Sequence, residues 1–356
     1  MLAKESRPRV AVYGLGGTIA MTSDGSGGVV PALSAAQLVA AVPGLAETGV
    51  DIEVEDFRRL PGASLGLSDL TDLAVEIDKR LASGTVDGVV VTQGTDTIEE
   101  TSYLLDLFHT APQPVVLTGA MRNPTLAGAD GPANLLAAVQ TAAHPSARDL
   151  GVLVVLADEI HAAGRVRKTH ATSVTTFRSP NGGPLGYVVE GTPRLLNHPT
   201  ERTTLDLSNL GSGPRVALVT VALGDDGLLL DGLAERVDGA VIAAFGVGHV
   251  PKNLVPALED LANRVPVVLA SRTGAGAGLA TTYGFPGSEQ DLLGRGLIQA
   301  GFLDPYKARV LLWALLATGH ERAAVSETFA SASGHSPPDP SHPSEKMRKP
   351  TCAVTN

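Results

Sequence analysis

The chain has 356 residues, 44% of them hydrophobic but only 4% aromatic, and a formal net charge of -10 with no Lys/Arg block in its body. That length can bury a sizeable core and accommodate two domains, and the acidic balance argues against a phosphate-backbone partner, so a nucleic-acid ligand is not expected. Its single cysteine, Cys352, lies in the tail and its nine histidines show no ligand spacing, which leaves no basis for disulfides or a metal centre.

From Arg9 to about Thr318, strand-like runs alternate with helical ones, the pattern of an α/β protein. The leader Lys4-Glu5-Ser6-Arg7 passes straight into a strand, with no apolar signal segment, and no window approaches a membrane span; a cytoplasmic protein with no membrane partner is the expectation. Val10-Ala11-Val12-Tyr13 is the first strand. It breaks at Gly14-Leu15-Gly16-Gly17-Thr18-Ile19-Ala20, where glycines let the backbone turn and approach a small ligand, with Thr18 at the mouth of the turn. A dinucleotide loop is the alternative, weakened by Ile19 where a third glycine is required and by acids at residues 51–55 too far along for a ribose contact. Residues 21–30, rich in glycine and serine, read as a mobile lid or as a connection with no task. Ser34 caps a helix, a strand follows at residues 52–54, and residues 59–66 form a second loop at a strand's carboxyl end. Ser68 is expected to cap the next helix, whose apolar face is Leu70, Leu73, Ile77 and Leu81.

The most informative stretch is Gly88-Val89-Val90-Val91-Thr92-Gln93-Gly94-Thr95-Asp96-Thr97-Ile98-Glu99-Glu100-Thr101. A short β-branched run, unbroken by polar residues, predicts a strand buried on both faces of a parallel sheet. Leu104, Leu105, Leu107 and Phe108 then return at helical spacing, so the chain turns from strand to helix across residues 93–96. In open α/β sheets, ligands bind beyond the carboxyl ends of the strands, and here that junction is polar. Thr97 with Glu100, or Asp96 with Glu99, would satisfy a capping box. Capping accounts for two of the groups, yet Thr92, Gln93, Thr95, Asp96 and Thr97 crowd one turn.

Residues 115–118 form the next strand, Pro132 suits the first turn of the helix after it, and residues 152–156 are a strand ending at Asp158-Glu159-Ile160-His161. Residues 163–170 bring Arg165, Arg167 and Lys168 toward the same sheet edge; taken alone, a solvated basic loop is the favoured reading. Periodicity lapses over residues 192–214, the pattern of a linker. Strands at residues 216–221, 240–244 and 265–270, with a helix near residues 254–261, predict a smaller parallel sheet, closed by an apolar helix at residues 308–316. The expected division is an N-terminal α/β catalytic domain at 1–191, a linker at 192–214, a C-terminal α/β domain at 215–330 and a disordered tail at 331–356.

If the loops bearing Thr18, Thr95-Asp96 and Lys168 meet, they hold the parts for acyl transfer. A threonine hydroxyl needs a base or a desolvated amine to take its proton, and Lys168 beside Thr95 and Asp96 would make such a relay, with lysine in the role of the imidazole of a triad. Asp96 would pair with a substrate ammonium group, and glycine-loop amides would hold an oxyanion.

Several motifs in order carry a family resemblance. Gly16-Gly17-Thr18-Ile19-Ala20 and Gly94-Thr95-Asp96-Thr97-Ile98-Glu99-Glu100-Thr101 resemble the two signatures of bacterial-type L-asparaginases and asparaginase-glutaminases. Leu117-Thr118-Gly119-Ala120-Met121-Arg122, Lys168-Thr169-His170-Ala171-Thr172 and Asp304-Pro305-Tyr306-Lys307-Ala308-Arg309 occupy the matching places downstream, so the similarity runs from the first strand to about Thr318. The resemblance implies a two-domain asparaginase-like fold and hydrolysis of the L-asparagine side-chain amide to aspartate and ammonia, with no cofactor and no metal. It puts Thr18 on the primary nucleophile and Thr95, Lys168 and Asp96 on a second catalytic set, Asp96 also binding the substrate ammonium. It further implies a homo-oligomer, dimer or tetramer, in which Glu289 reaches a neighbour's site. Three departures stand out. Residues 21–30 lack the family's tyrosine; Pro61-Gly62-Ala63-Ser64 replaces the carboxylate-binding pair, leaving backbone amides near Gly62 or the Ser64 hydroxyl for that task; and Gln93 and His249 stand where His and Asn are common. Two other functions compete: the amidase subunit of a tRNA-dependent amidotransferase, which calls for a separate amino-terminal module, and a non-catalytic amino-acid sensor on the same fold.

Overall fold

The computed structural model describes residues 7–17, 19, 21–23, 29–31, 34–199 and 202–332. Two sheets organise them. The larger is eight-stranded, in the order Thr192–Leu195, Gly186–Val189, Glu159–Ala162, Val152–Leu156, Val115–Thr118, Gly88–Thr92, Arg9–Gly14 and Asp51–Asp56. Its last five strands in that order run parallel. The smaller sheet is parallel and four-stranded: Val216–Thr220, Gly239–Ala244, Val267–Ser271 and Ile298–Gln299.

Gly88–Thr92 is buried along its whole length, as its unbroken apolar run requires. Alternate side chains feed different cores, because successive residues of a strand point to opposite faces. Val89 and Val91 pack with Leu104, Leu107 and Trp313 on one face; Val90 packs with Leu135, Val139 and Leu153 on the other. The first of these cores also takes in Val241 and Val268 of the small sheet, so helices Ile98–Phe108 and Pro305–Ala317 lie in one continuous apolar layer between the sheets. A third cluster around Ile242, Leu258 and Leu269 fills the outer side of the small sheet.

Register aligns the strand ends that matter. Asp56 pairs with Gly14, Gly14 with Thr92, and Thr92 with Thr118, one row across four strands. The loops leaving that row therefore start at the same height on one sheet edge.

Local corrections to the sequence reading follow. Residues 21–23 and 29–31 form an antiparallel ribbon, and the 24–28 part of the expected lid lies outside the described residues. Gly66, not Ser68, is the N-cap of helix Leu67–Ala82; Asp69 Oδ2 accepts the Gly66 N–H at 3.0 Å. Glu159–Ala162 is a separate strand antiparallel to Val152–Leu156, because Ala157 and Asp158 both adopt left-handed backbone (φ 49 and 61) and reverse the chain in two residues. Glu190 and Gly191 (φ 51 and 73) repeat the device, making Thr192–Leu195, expected to open the linker, the outer strand of the large sheet. Helices Glu289–Gly294 and Arg322–Ala332 were not foreseen; beyond Ala332 the expected disordered tail lies outside the described residues. Among the described residues no helix is long and apolar enough to cross a membrane.

Candidate active site

Glycines bring three of the row's loops into backbone contact. Leu15 N–H donates to Thr92 O at 2.9 Å and Leu60 N–H to Leu15 O at 3.0 Å, tying the first loop between its neighbours. Gly17 has φ +89, and a Cβ there would lie 2.1 Å from Gly94 N. One on Gly62 would lie 3.0 Å from Gly94 O. Only residues without a side chain permit that approach. Thr18 itself lies outside the described residues, but the residue before it rests against the residue before Thr95.

Thr95, 5% exposed, opens a tight helical turn, Thr95–Thr97, that runs into helix Ile98–Phe108. Neither capping pair forms. Thr97 Oγ1 instead donates to Gly62 O at 3.2 Å and accepts from Gln93 Nε2 at 2.9 Å, clamping the Gly62 turn to the loop after strand Gly88–Thr92. Gly62 is buried within the turn Gly62–Ser64, and Ser64 is exposed.

Lys168 reaches this cluster from 73 residues away in sequence, its Nζ donating to Thr95 Oγ1 at 3.0 Å and to Asp96 Oδ1 at 2.8 Å. The solvated-loop reading of the basic segment does not hold for this residue, since its side chain is 14% exposed, whereas that of Asp96 is 68% exposed. An enclosed hydroxyl, an enclosed ammonium and an outward carboxylate thus form one chain of contacts. The ammonium holds the hydroxyl's lone pair and can exchange protons with it, and the open side of the carboxylate is free to meet a cationic group.

Sequence reasoning passed over what fixes Lys168. Strand Arg167–Lys168 pairs antiparallel with Phe177–Arg178, and Lys168 N–H donates to Glu99 Oε2 at 3.1 Å. Glu99 is nearly buried and sits on the helix turn that follows Asp96. Burial pushes its carboxyl above the usual range, against the pull of Lys307. Behind it, Arg167 Nε lies 3.8 Å from Glu99 and 3.9 Å from Asp304. Fully buried Lys307 holds Asp304 at 3.1 Å and donates to Val166 O, one peptide from Arg167. Burial also opposes the charge on Asp304, but Lys307 and Arg167 outweigh it and keep that carboxyl below the ordinary range. The adjacent acids Glu99-Glu100 after the Thr-Asp pair were the one available signal.

Glu289 is held elsewhere: its partners are Thr282, Tyr283 and His249. Its carboxylate is fully buried, accepts the Thr282 and Tyr283 N–H groups at 3.0 and 2.6 Å, and lies 3.1 Å from His249 Nε2. Burial is overcome there by those amides and the histidine, so its carboxyl stays below the ordinary range. His249 in turn packs edge-on against Tyr283 and Phe285.

Comparison with known proteins agrees with this arrangement. Residues 9–201 match the family Asparaginase, N-terminal, and residues 215–329 match the Glutaminase/Asparaginase C-terminal domain. A protein of Deinococcus radiodurans named "Probable L-asparaginase" is 38% identical over 329 residues, covering 91% of this chain and 98% of that one. L-asparaginase 2 of Escherichia coli is 35% identical over 337 residues, covering 90% and 92%. The crystal structure of a "Probable Cytoplasmic L-asparaginase" from Campylobacter jejuni superposes with a TM-score of 0.81 at 35% identity, covering 90% of this chain and 99% of that one. With both family domains matched over nearly the whole described chain, this protein belongs to the asparaginase family.

Proposed function

We propose that this chain is an L-asparagine amidohydrolase, releasing ammonia and aspartate, with glutamine as a minor substrate. The observation that carries the reading is the Lys168 ammonium held between Thr95 and Asp96 beside the Gly17–Gly94 contact. In the proposed reaction the Thr18 hydroxyl attacks the side-chain amide carbon and loses its proton. Ammonia leaves with that proton, and water then cleaves the Thr18 ester to aspartate. Lys168 relays protons for Thr95 and the attacking water, and backbone N–H groups of the glycine loop face the developing oxyanion. The outward carboxylate of Asp96 takes the substrate ammonium; the Gly62 amide or Ser64 takes its carboxylate. No cofactor or metal enters these steps.

Assembly and location are part of the same reading. A dimer or tetramer would set one copy's Thr282–Phe285 segment, anchored by buried Glu289, against a neighbour's site; this supports Glu289 as the anchor of that segment rather than as a free arm. A cytoplasmic setting is supported by the likeness to the Campylobacter jejuni protein. The test is ammonia release from L-asparagine at micromolar and millimolar concentration. Saturable turnover, with slower release from L-glutamine, is the expected result. Binding of asparagine without turnover would replace the enzyme with a sensor.

A further inference from the structure

A cavity of 390 Å³ opens between the two units of the chain, and neither Thr95, Asp96 nor Lys168 lines it. Its apolar wall includes Tyr103, Leu150, Val152 and Leu303; its charged wall has three guanidiniums, of Arg165, Arg167 and Arg202, and two carboxylates, of Asp106 and Asp304. The carboxylates are taken. Asp106 holds Arg202 at 2.8 Å, and Asp304 holds Lys307 at 3.1 Å with Arg167 at 3.9 Å. Arg165 has no acidic partner among the described residues. Its Nη2 donates to His198 O at 3.3 Å, while its Nη1 is buried with no hydrogen-bond partner among the described residues.

Backbone packs closely around that donor. Gly182 (φ +93) lies flat against the guanidinium, where a Cβ would come within 3.3 Å of Arg165 Cζ. Asn197 Nδ2 fixes the Gly182 carbonyl at 2.9 Å. Asn181 ties the same wall to the C-terminal unit, donating to Phe302 O at 3.3 Å and accepting the Gly276 N–H at 2.9 Å. A guanidinium stays charged at any working pH, and among the described residues nothing accepts from this buried N–H, so an acceptor that enters the cavity can satisfy it. The space is in the range of small-molecule pockets, far more than one ion needs.

We infer that this cavity is a second binding site, for a small organic monoanion: a carboxylate on Arg165 with its apolar body against Tyr103, Val152 and Leu303. Among the described residues Arg165 is the lining cation without an acidic partner, one positive charge that selects a single negative one, and the apolar wall selects against inorganic ions. The site stands whether or not the chain hydrolyses asparagine.

Calorimetric titration of the full chain with phenylacetate, benzyl alcohol and inorganic phosphate tests it. Phenylacetate should bind saturably, at least tenfold more tightly than the other two, and Arg165→Met should weaken it at least tenfold. Lys168→Met, and excess L-aspartate on the unaltered protein, should leave phenylacetate binding unchanged. Should Arg165→Met fail to fold, Arg165→Lys keeps the charge and stem and should retain weakened binding. No saturable phenylacetate binding, equal binding of benzyl alcohol, or displacement by L-aspartate would overturn the inference.

Discussion

Replacing Lys168 by methionine removes the ammonium while keeping a stem of similar length, and the structure separates its effects on chemistry and on stability. Losing a positioned proton relay costs about 10²–10⁴ in turnover, equivalent to roughly 3–5 kcal/mol on the barrier. Stability should change far less. The Asp96 partner is 68% exposed and regains water, so that pair contributes at most about 1 kcal/mol. Thr95 loses one hydrogen bond, worth about 1 kcal/mol. Asp96 keeps the role proposed for it, pairing with the substrate ammonium, so KM should move only severalfold. Lys168→Arg sharpens the test, because a guanidinium keeps the charge but does not deprotonate; it should restore stability without restoring kcat. Ammonia release under saturating asparagine gives kcat, and thermal unfolding of the same preparations gives the stability. A Lys168→Met protein with kcat within about tenfold of the parent, altered only in its salt dependence, would return this lysine to the solvated basic loop.

Thr18→Ala should abolish turnover and leave the unfolding temperature nearly unchanged; near-normal ammonia release would remove Thr18 from the nucleophile's role. Gly17→Ala should depress both kcat and thermal stability, since its Cβ would meet Gly94 N at 2.1 Å and the left-handed backbone alone adds about 1–2 kcal/mol of strain. Unchanged kcat in a folded Gly17→Ala protein would refute the tight loop contact. Glu99→Gln keeps an acceptor for the Lys168 N–H and removes a charge that burial disfavours, so stability in chemical denaturation at pH 7 should hold or rise; a large loss would show that the Arg167 contact outweighs the burial. His161, fully enclosed and beside Arg178, has its imidazole pushed down to about 4 by burial first and by that arginine second. The unfolded chain therefore takes up a proton at His161 that the folded chain refuses between about pH 6.5 and pH 4, so this group's share of stability is complete above that window and falls by about 3 kcal/mol across it, with buried His109, also pushed down to about 4, adding to the fall. Denaturant midpoints measured from pH 7 to pH 4 check this, and His161→Gln should flatten the slope.

How much of the molecule could be read beforehand depended on whether its cause was local. The run Gly88–Thr92 carries its own burial in its composition, and the polar residues after it announce a ligand edge. The chain reversal at Ala157-Asp158 was hidden because neither residue belongs to the Asn-Gly or Asp-Gly pairs that mark such turns. Thr192–Leu195 was hidden by Pro193, which argues against a strand except at a sheet's rim, where this one lies. For Lys168 the neighbouring arginines pointed to solvent, and the groups that enclose it, Thr95 and Glu99, are remote in sequence. The spacing from Thr97 to Glu100 suits a cap, yet its hydroxyl serves the Gly62 turn instead, a partner 35 residues away.

The dependence of the site on both units follows from the same contacts. Thr95, Asp96 and Lys168 all belong to the first unit, yet the strand that presents Lys168 is held from behind by Asp304 and Lys307, which begin the helix Pro305–Ala317 of the second. That helix is also the shared wall of the two sheets, so a shift of the small sheet would be felt at Val166 and Arg167 before it reached Lys168. Glu99 closes the loop, joining the Lys168 amide to the helix that starts at the Thr95 turn. A lysine on a two-residue strand would otherwise have little to hold it. Buried charges at this seam are costly one by one, and they are tolerated because each satisfies its neighbour and together they set the height of one ammonium above one hydroxyl.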